Sequence, residues 1–370
     1  MIDTIVLTFT SNMYRITEPD KFRPSARWIE NSSLIDCDIR SKQNTTQKEL
    51  SRGAYKPSLT LSNCIGPIGI ADIMLKVELS LPKLLFGNNF QELQYKDFSL
   101  ITKKLVKMLD AMGVQIDENI LAHAHVSAIH YAKNIVLKDG STPFHYIQKI
   151  KESNISTVLD TNQTDYRNDG LSYKWHCNSY EIVFYDKIKE LEKTKQRSKR
   201  TNEKYGALQL KLLDRLTRRK KMEILRMEVR LNNRHKIRHL FAKLGIKSEL
   251  AFRNLFKPAT AKKILLHYLD ELESKRPGLL DYKANDDAAL LAALCFNNPE
   301  LRPKQILQMF GLKKALEFMT SRELSVLFSR VHSRRFKRFM AEAKNVKLPD
   351  ANSPFGVIRE QILKFKPCKI

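Results

Sequence analysis

The sequence has no long apolar run and no secretory leader pattern. No stretch approaches the roughly 18 consecutive apolar residues that a transmembrane helix needs. The first eight residues, MIDTIVLT, carry no basic segment and are typical of a strand rather than of a signal peptide. We therefore expect a protein without a membrane span and without a secretion signal.

Cysteines are few and have no informative spacing. They are scattered through 370 residues, and no pair stands in a C-x-x-C arrangement. A zinc site or a disulfide framework is therefore not expected, and unpaired thiols fit the cytoplasm. The five positions are Cys37, Cys64, Cys177, Cys295 and Cys368.

Acidic residues are scarce relative to basic ones. The chain has 40 Asp and Glu against 65 Lys and Arg, which gives a formal net charge of +25. A protein this basic usually binds a polyanion, and nucleic acid is the commonest one. An anionic membrane surface is the alternative that the net charge leaves open.

Two basic runs carry much of this charge. Residues 187–221 contain nine Lys and five Arg against four acidic residues, and residues 330–339 interleave basic residues with two phenylalanines. One such run is often only a solvated surface, but two runs in a chain of this charge favour contact with phosphates. The residues expected to make these contacts are Arg218, Arg219, Lys220, Arg334 and Arg335.

The chain is predicted to contain two regions of different structure. Residues 1–248 mix strand and helix periodicity, whereas residues 249–370 show apolar residues at intervals of three and four, which is the spacing of helices. We therefore expect an α+β domain followed by an all-helical C-terminal domain. The polar segment 37–56 is expected to be a loop. Strands are expected at 2–9, 71–81, 125–136, 180–187 and 221–232.

The last of these strands alternates apolar and charged side chains. Arg226, Glu228 and Arg230 point to one face, and apolar residues point to the other. A carboxylate between two guanidiniums has two interpretations. It belongs to a structural ladder of ion pairs, or it is a metal ligand flanked by arginines that bind phosphate.

Tyr185 lies near the end of another predicted strand, on the same face as Lys187. A phenol is a poor nucleophile at neutral pH because its pKa is about 10. A neighbouring lysine favours the phenolate, so Tyr185 is a candidate nucleophile and Lys187 its activating cation. The alternative is a tyrosine at the end of a strand with a lysine that extends past it.

Three histidines, His123, His125 and His130, occur in one short stretch. His123-Ala124-His125 is similar to the His-hydrophobe-His signature of rolling-circle nickases. In a regular strand, however, His125 and His130 point to opposite faces and cannot share a site. His130 is therefore the candidate ligand, and the alternative is a structural histidine within a strand.

Five segments, in this order, resemble the gene II/X replication initiators of filamentous phages and related plasmid and phage proteins. The similarity covers about residues 1–245, and no single motif carries it. The matching segments are Met1 to Leu7, Val77 to Asn89 with Pro82, Lys83 and Gly87, Val126 to His130, Tyr185 to Lys187 followed by Glu190, and Arg226 to Arg230.

The resemblance implies both a fold and a reaction. These initiators are related to the HUH class of metal-dependent endonucleases, so it implies a central antiparallel sheet with flanking helices and Tyr185 as the nucleophile. Glu228 becomes a ligand for Mg²⁺ or Mn²⁺. The filamentous-phage protein has Asp where this chain has His130, which can replace it because both offer a lone pair to a divalent ion. The residues expected to neutralise charge on the phosphate are Lys187, Arg226 and Arg230.

The expected function is that of a rolling-circle replication initiator in the cytoplasm of a bacterial host. It would nick a double-stranded origin at an exposed single-stranded site, leave a 5′-phosphotyrosine and a 3′-OH primer, and later rejoin the strand. Its expected partners are DNA, a host helicase and a host DNA polymerase. The alternative is a non-catalytic origin-binding protein or repressor that uses the same basic surfaces.

Overall fold

The fold is known for most of the chain. The computed structural model describes residues 1–31, 39–46, 49, 55–65, 71–138, 140–152, 164–167, 171–176, 179–200, 223–274, 279, 282, 284–319, 321–348 and 355–368. Its strands are β1 (Ile2–Phe9), β2 (Arg15–Ile16), β3 (Arg40–Gln43), β4 (Ser58–Ile65), β5 (Ala71–Ser80), β6 (Val114–Gln115), β7 (His125–Leu137), β8 (Thr164–Arg167), β9 (Ser172–His176), β10 (Tyr180–Asp186) and β11 (Glu223–Leu231).

Nine of these strands form one sheet, in the order β3-β4-β5-β1-β7-β11-β10-β9-β8. Every neighbouring pair in this sheet is antiparallel. Strands β2 and β6 form a separate two-stranded sheet. The centre of the large sheet is therefore built from β1, β7, β11 and β10, which come from distant parts of the chain.

Helices occur throughout the chain, and from residue 252 onward no described residue belongs to a strand. The α-helices are α1 (Leu81–Phe86), α2 (Phe98–Ala111), α3 (Glu118–Ala122), α4 (Pro143–Glu152), α5 (Lys187–Arg200), α6 (Arg234–Lys243), α7 (Phe252–Leu255), α8 (Pro258–Glu273), α9 (Asp287–Asn297), α10 (Pro303–Phe318), α11 (Ser321–Ala343) and α12 (Phe355–Lys364). The prediction of an α+β fold with a large antiparallel sheet is confirmed.

Strand β11 explains how the sheet acquires two different faces. Its odd-numbered residues from Leu225 to Leu231 are apolar and fully buried in the main core. Its even-numbered residues include Arg226 and Glu228, which are also buried. The alternation therefore places an apolar core on one side of the sheet and buried charges on the other.

The main core includes two helices from beyond residue 249. Side chains of α8 pack into it, and the ring of Tyr268 lies 5.2 Å from that of Tyr180. Helix α12 also packs there, and the side-chain amide of Gln361 bonds to both backbone groups of Val136. A second cluster joins residues of α9, α10 and α11. The predicted domain boundary after residue 248 remains a prediction, and the main core extends across it.

Three details of the strand prediction change. The expected loop 37–56 contains β3, so that expectation is wrong over Arg40–Gln43. Strands β2, β4, β6, β8 and β9 also had no predicted counterpart. The five predicted strands are present with ends that move by at most two residues. In the described part of the chain, every helix is too short or too polar to cross a bilayer.

Candidate functional site

The register of three central strands brings Tyr185 and His130 to the face that carries the arginines. Tyr185 on β10 lies opposite Arg226 on β11, and His130 on β7 lies opposite Arg230. Residues directly opposite each other in an antiparallel pair share a face. Four residues that the sequence singled out therefore meet on one side of the sheet.

Glu228 is at the centre of this group. Its carboxylate accepts hydrogen bonds from the Tyr185 hydroxyl at 3.2 Å and from the Arg230 Nε at 3.0 Å. The His130 Nδ1 lies 3.6 Å from Oε1, and the Arg226 Nε lies 4.0 Å from Oε2. Glu228 is only 2% exposed. We call Tyr185, Glu228, His130, Arg226 and Arg230 the Glu228 cluster.

Arg226 is buried and fixed by groups from three other segments. Its Nη2 donates to Asp3 at 2.6 Å, and its Nη1 donates to the backbone oxygen of Asn89 at 2.8 Å and to the side chain of Asn134 at 3.4 Å. Only 3% of Arg226 is exposed. These bonds leave Nε as the part of the guanidinium that faces Glu228.

The Arg226 Nε is a buried donor without a hydrogen-bond acceptor among the described residues. An unpaired buried donor costs about 1–3 kcal/mol, so such groups call for a functional explanation. A phosphate oxygen held near Tyr185 would supply the missing acceptor. The arrangement is therefore suited to binding an oxyanion next to the phenol.

Asp3 was not predicted as a site residue. It lies where the register between β1 and β7 shifts, next to Thr4, which donates to its carboxylate at 3.1 Å. Burial alone would raise the pKa of Asp3, but Arg226 and Lys187 lower it below its usual value. The sequence signal for Asp3 was a single carboxylate in a strand whose other polar residues are two threonines. Asp3 therefore acts as the fixed counter-charge of Arg226.

The segment that follows α1 forms the support for Arg226. Gly87 ends the helix in the left-handed region, with φ of 70°. The side chain of Asn88 accepts hydrogen bonds from the backbone nitrogens of Phe90 and Gln91, both at 3.0 Å. This turn presents the backbone oxygen of Asn89 to the guanidinium. The end of the resembling segment Val77 to Asn89 thus has a physical role in holding an arginine.

A second carboxylate, Glu181, extends the charged face and was also missed. It accepts hydrogen bonds from Arg230 at 3.0 Å and from Lys174 at 2.9 Å. Burial would raise the pKa of Glu181, but the bonds to Lys174 and Arg230 lower it overall. Arg230 therefore bridges Glu181 and Glu228 and sets the orientation of both.

The phenol of Tyr185 is not activated by Lys187 in the way that the sequence suggested. Burial raises the pKa of Tyr185 well above 10; Arg226 lowers it and Glu228 raises it further. Lys187 is fully buried, donates to Glu190 at 2.7 Å and lies 5.5 Å from the centre of the tyrosine ring. Burial also lowers the pKa of Lys187. Tyr185 is therefore protonated and needs a proton acceptor, and Glu228 is placed to be one.

His130 has the neutral imidazole that a metal ligand requires. Burial lowers the pKa of His130, Glu228 opposes this effect and Arg230 adds to it. The imidazole is therefore neutral near pH 7, with a lone pair available. Among the described residues, no group of three or more His, Cys, Asp and Glu side chains forms a metal site. His130 and Glu228 fit a divalent ion as two protein ligands, with water and phosphate oxygens in the other positions.

The prediction that His125 and His130 point to opposite faces of the strand is wrong. Ser127 is skipped in the β1–β7 register, so His125 lies opposite Thr8 and His130 opposite Thr4. Because of this bulge, both histidines fall on one face of the strand pair. Four residues of β1 still separate them by about 13 Å, at roughly 3.3 Å per residue. His125 therefore remains outside the Glu228 cluster.

The remaining predicted residues lie elsewhere. Arg218, Arg219 and Lys220 lie outside the described residues, and so does the side chain of Arg334. Arg335 is exposed on α11 and lines a small cavity with Phe328 and Phe336, whose rings are stacked at 4.9 Å. Their contact with DNA stays a prediction.

Comparisons of the chain with known protein families, with curated proteins and with solved structures find no match. The chemistry of the Glu228 cluster is therefore inferred from its own geometry and from the resemblance of the five segments.

Proposed function

We propose that the chain is a rolling-circle replication initiator that nicks one strand of origin DNA with Tyr185. One observation carries the proposal. The Tyr185 hydroxyl donates to a buried carboxylate, Glu228, between two arginines and a neutral histidine. This is a nucleophile with a proton acceptor and with cations for a developing phosphate charge. The net charge of +25 supports DNA as the substrate.

In the proposed reaction the Tyr185 oxygen attacks a phosphodiester phosphorus. A bond forms between Oη and phosphorus, and the bond between phosphorus and the 3′-oxygen breaks. The phenol proton passes to Glu228, and the leaving 3′-oxygen takes a proton from water. The products are a 5′-phosphotyrosine and a free 3′-OH. The reverse reaction rejoins the strand because the phosphotyrosine bond conserves the energy of the cut bond.

The arginines of the cluster have different tasks. The Arg226 Nε would donate to a phosphate oxygen, and Arg230 would hold Glu228 and neutralise charge on the phosphate. Lys187 is a positioning residue in this proposal, since its ammonium is paired with Glu190. A Mg²⁺ or Mn²⁺ ion held by Glu228 and His130 would polarise the scissile phosphate.

The proposed setting is the cytoplasm of a bacterial host. A host helicase would unwind the origin, and a host DNA polymerase would extend the 3′-OH. The proposal includes an HUH-endonuclease-like sheet and a separate helical C-terminal domain that contacts the origin. Arg218, Arg219, Lys220, Arg334 and Arg335 would supply phosphate contacts outside the Glu228 cluster.

The test is nicking of a supercoiled plasmid that carries the replication origin of the element encoding the chain. Tyr185→Phe should abolish conversion to the open-circular form in Mg²⁺ or Mn²⁺, because the nucleophilic oxygen is removed. Tyr180→Phe is the matched control, since Tyr180 faces the core on the same strand. Nicking by Tyr185→Phe at the wild-type rate would refute the assignment.

A non-catalytic origin-binding protein or repressor is the second candidate. It is favoured by the complete pairing of Glu228 and by the raised pKa of Tyr185, both of which suit a structural network. In that case wild-type protein and Tyr185→Phe bind origin DNA equally, and neither cuts it. Nicking by the wild-type protein alone distinguishes the two functions.

A further inference from the structure

A cavity of about 560 Å³ lies beside α6, at the start of β7. Its volume falls within the roughly 300–1,000 Å³ of small-molecule sites. The charged or titratable side chains that line it are His123, His125, Arg234, Arg238 and Glu249. We call it the α6 cavity. It contains the His-x-His pair that the Glu228 cluster does not use.

The two arginines of the α6 cavity repel each other. Arg234 and Arg238 are four residues apart on α6 and therefore share one face of the helix. In the described part of the chain, no acidic side chain forms an ion pair with either of them. Partial burial lowers the pKa of Arg234, and the charge of Arg238 lowers it further. The two guanidiniums therefore create a positive potential on this face of the helix.

The beginning of α6 adds to this positive potential. Its first three residues are Arg234, His235 and Lys236, and its first turn holds no acidic residue. The amino end of a helix carries a partial positive charge, which normally favours acidic residues there. Asn233 caps only the backbone nitrogen of Lys236. The potential at this end of α6, where Arg234 lines the cavity, is therefore positive.

The two histidines are not a metal site in this cavity. The Nδ1 of His123 is 2.9 Å from the backbone oxygen of Asn119, which only accepts. Nδ1 therefore carries a proton, and Nε2 of the neutral ring is an acceptor that gives an anion no hydrogen bond. Among the described residues that line the cavity, Arg234 and Arg238 stand against one carboxylate, Glu249. The lining therefore has a net positive charge, unlike the Glu228 cluster with Asp3 and Glu181, and it favours an anion over a metal cation.

We infer that the α6 cavity binds the phosphate of a nucleotide unit, with Arg234 and Arg238 as the principal donors. The apolar part of the wall, which includes Phe241, Ile246 and Leu250, would contact the sugar or the base. The nucleotide is either a free mononucleotide or one residue of a nucleic-acid strand. The inference does not depend on the reaction proposed for Tyr185, since binding requires no cleavage.

The experiment compares two variants that each remove two positive charges. Arg234→Gln/Arg238→Gln changes the cavity, and Arg253→Gln/Lys257→Gln changes two exposed residues that do not line it. Fluorescence anisotropy at about 0.1 M salt would measure binding of a labelled mononucleotide and of a labelled 20-nucleotide single strand. Circular dichroism would check that both proteins are folded.

The cavity variant should bind at least one ligand about tenfold or more weakly than wild type, because two charge-assisted bonds are lost. The control should lose less than about threefold. Loss with the mononucleotide identifies a free nucleotide as sufficient, and loss with the strand alone identifies a nucleic-acid residue. Equal weakening in both variants, or no weakening in the cavity variant, would overturn the inference.

Discussion

Two arginine sites of this protein handle positive charge in opposite ways. In the Glu228 cluster, Arg226 is buried and bonds to Asp3, Asn89 and Asn134. In the α6 cavity, Arg234 is exposed and faces another arginine. The buried arginine must have partners because an unpaired buried charge costs several kcal/mol, whereas an exposed pair of like charges costs only a few tenths.

This difference assigns the two sites different tasks: the buried arginine positions a reacting group, and the exposed arginines bind a ligand. A guanidinium fixed by three partners can hold one direction toward a reacting phosphate, which is what catalysis requires. A pair of exposed guanidiniums can instead take up an anion and gain stability from it. Substitution should therefore affect stability and activity in the cluster, but mainly ligand affinity in the cavity.

The largest effect is expected at the carboxylate of the cluster. Glu228→Gln should reduce origin nicking by about a hundredfold to ten-thousandfold, because the proton acceptor of Tyr185 is lost. Initial rates on supercoiled origin plasmid would measure this. Glu181→Gln is the matched control, since Glu181 also pairs with Arg230 but does not bond to Tyr185. Equal losses in both variants would mean that the carboxylates act only by fixing Arg230.

The next largest effect is expected at Asp3, on the stability of the folded protein. Asp3→Asn should lower the free energy of unfolding by about 3–5 kcal/mol at neutral pH, because Arg226 loses its buried counter-charge. The pKa of Asp3 is lowered in the fold, so its stabilisation is present above about pH 4 and is lost as pH falls through the folded value. In urea denaturation, the difference in stability between wild type and Asp3→Asn should therefore be smaller at pH 3 than at pH 7.

A smaller effect on stability is expected at His130, whose side chain is 21% exposed. Its pKa is lowered in the fold, so the unfolded chain binds more protons and stability falls as pH drops below about 6.5. His130→Gln should reduce the loss of stability between pH 7 and pH 5. The exposed residue His239 provides the control variant, His239→Gln, which should lose stability with pH as wild type does.

The smallest expected effect is an increase, not a decrease, in the free energy of unfolding. Arg234→Gln should raise the free energy of unfolding by about 0.2–0.5 kcal/mol in a buffer without phosphate, because the repulsion from Arg238 is relieved. Thermal denaturation in low salt would detect it. Arg226→Gln, in contrast, should destabilise the protein. If both substitutions destabilise it to the same extent, the comparison between paired and unpaired arginines does not hold.

Local periodicity was sufficient to predict the faces of single strands. The alternation around Glu228 placed both arginines on its side, and strand geometry put Tyr185 on a definite face. The register between distant strands could not be predicted from local periodicity, because Asp3 contacts Arg226 across 223 residues of sequence. The sequence pattern did not indicate the bulge at Ser127, which overturned the reason for excluding His125 from the site but not the exclusion itself.

Burial explains most of the remaining differences. Lys187 was expected to activate Tyr185, but the buried Lys187 ammonium is paired with Glu190. Burial of the phenol also raised the pKa of Tyr185 rather than lowering it. Burial depends on packing between distant parts of the chain, as in the buried cluster of Phe90, Leu191 and Ile224, which come from three separate segments. A sequence pattern gives no measure of that packing.

The most direct measurement is the detection of a covalent intermediate. Single-stranded DNA spanning the origin, labelled at its 3′ end, would be incubated with protein and Mg²⁺ or Mn²⁺ and then denatured. The account predicts that the label stays on the protein, maps to the peptide containing Tyr185 and is absent from Tyr185→Phe, while a 5′ label is released. A 3′ label that never attaches to wild-type protein, or that attaches equally to Tyr185→Phe, would contradict it.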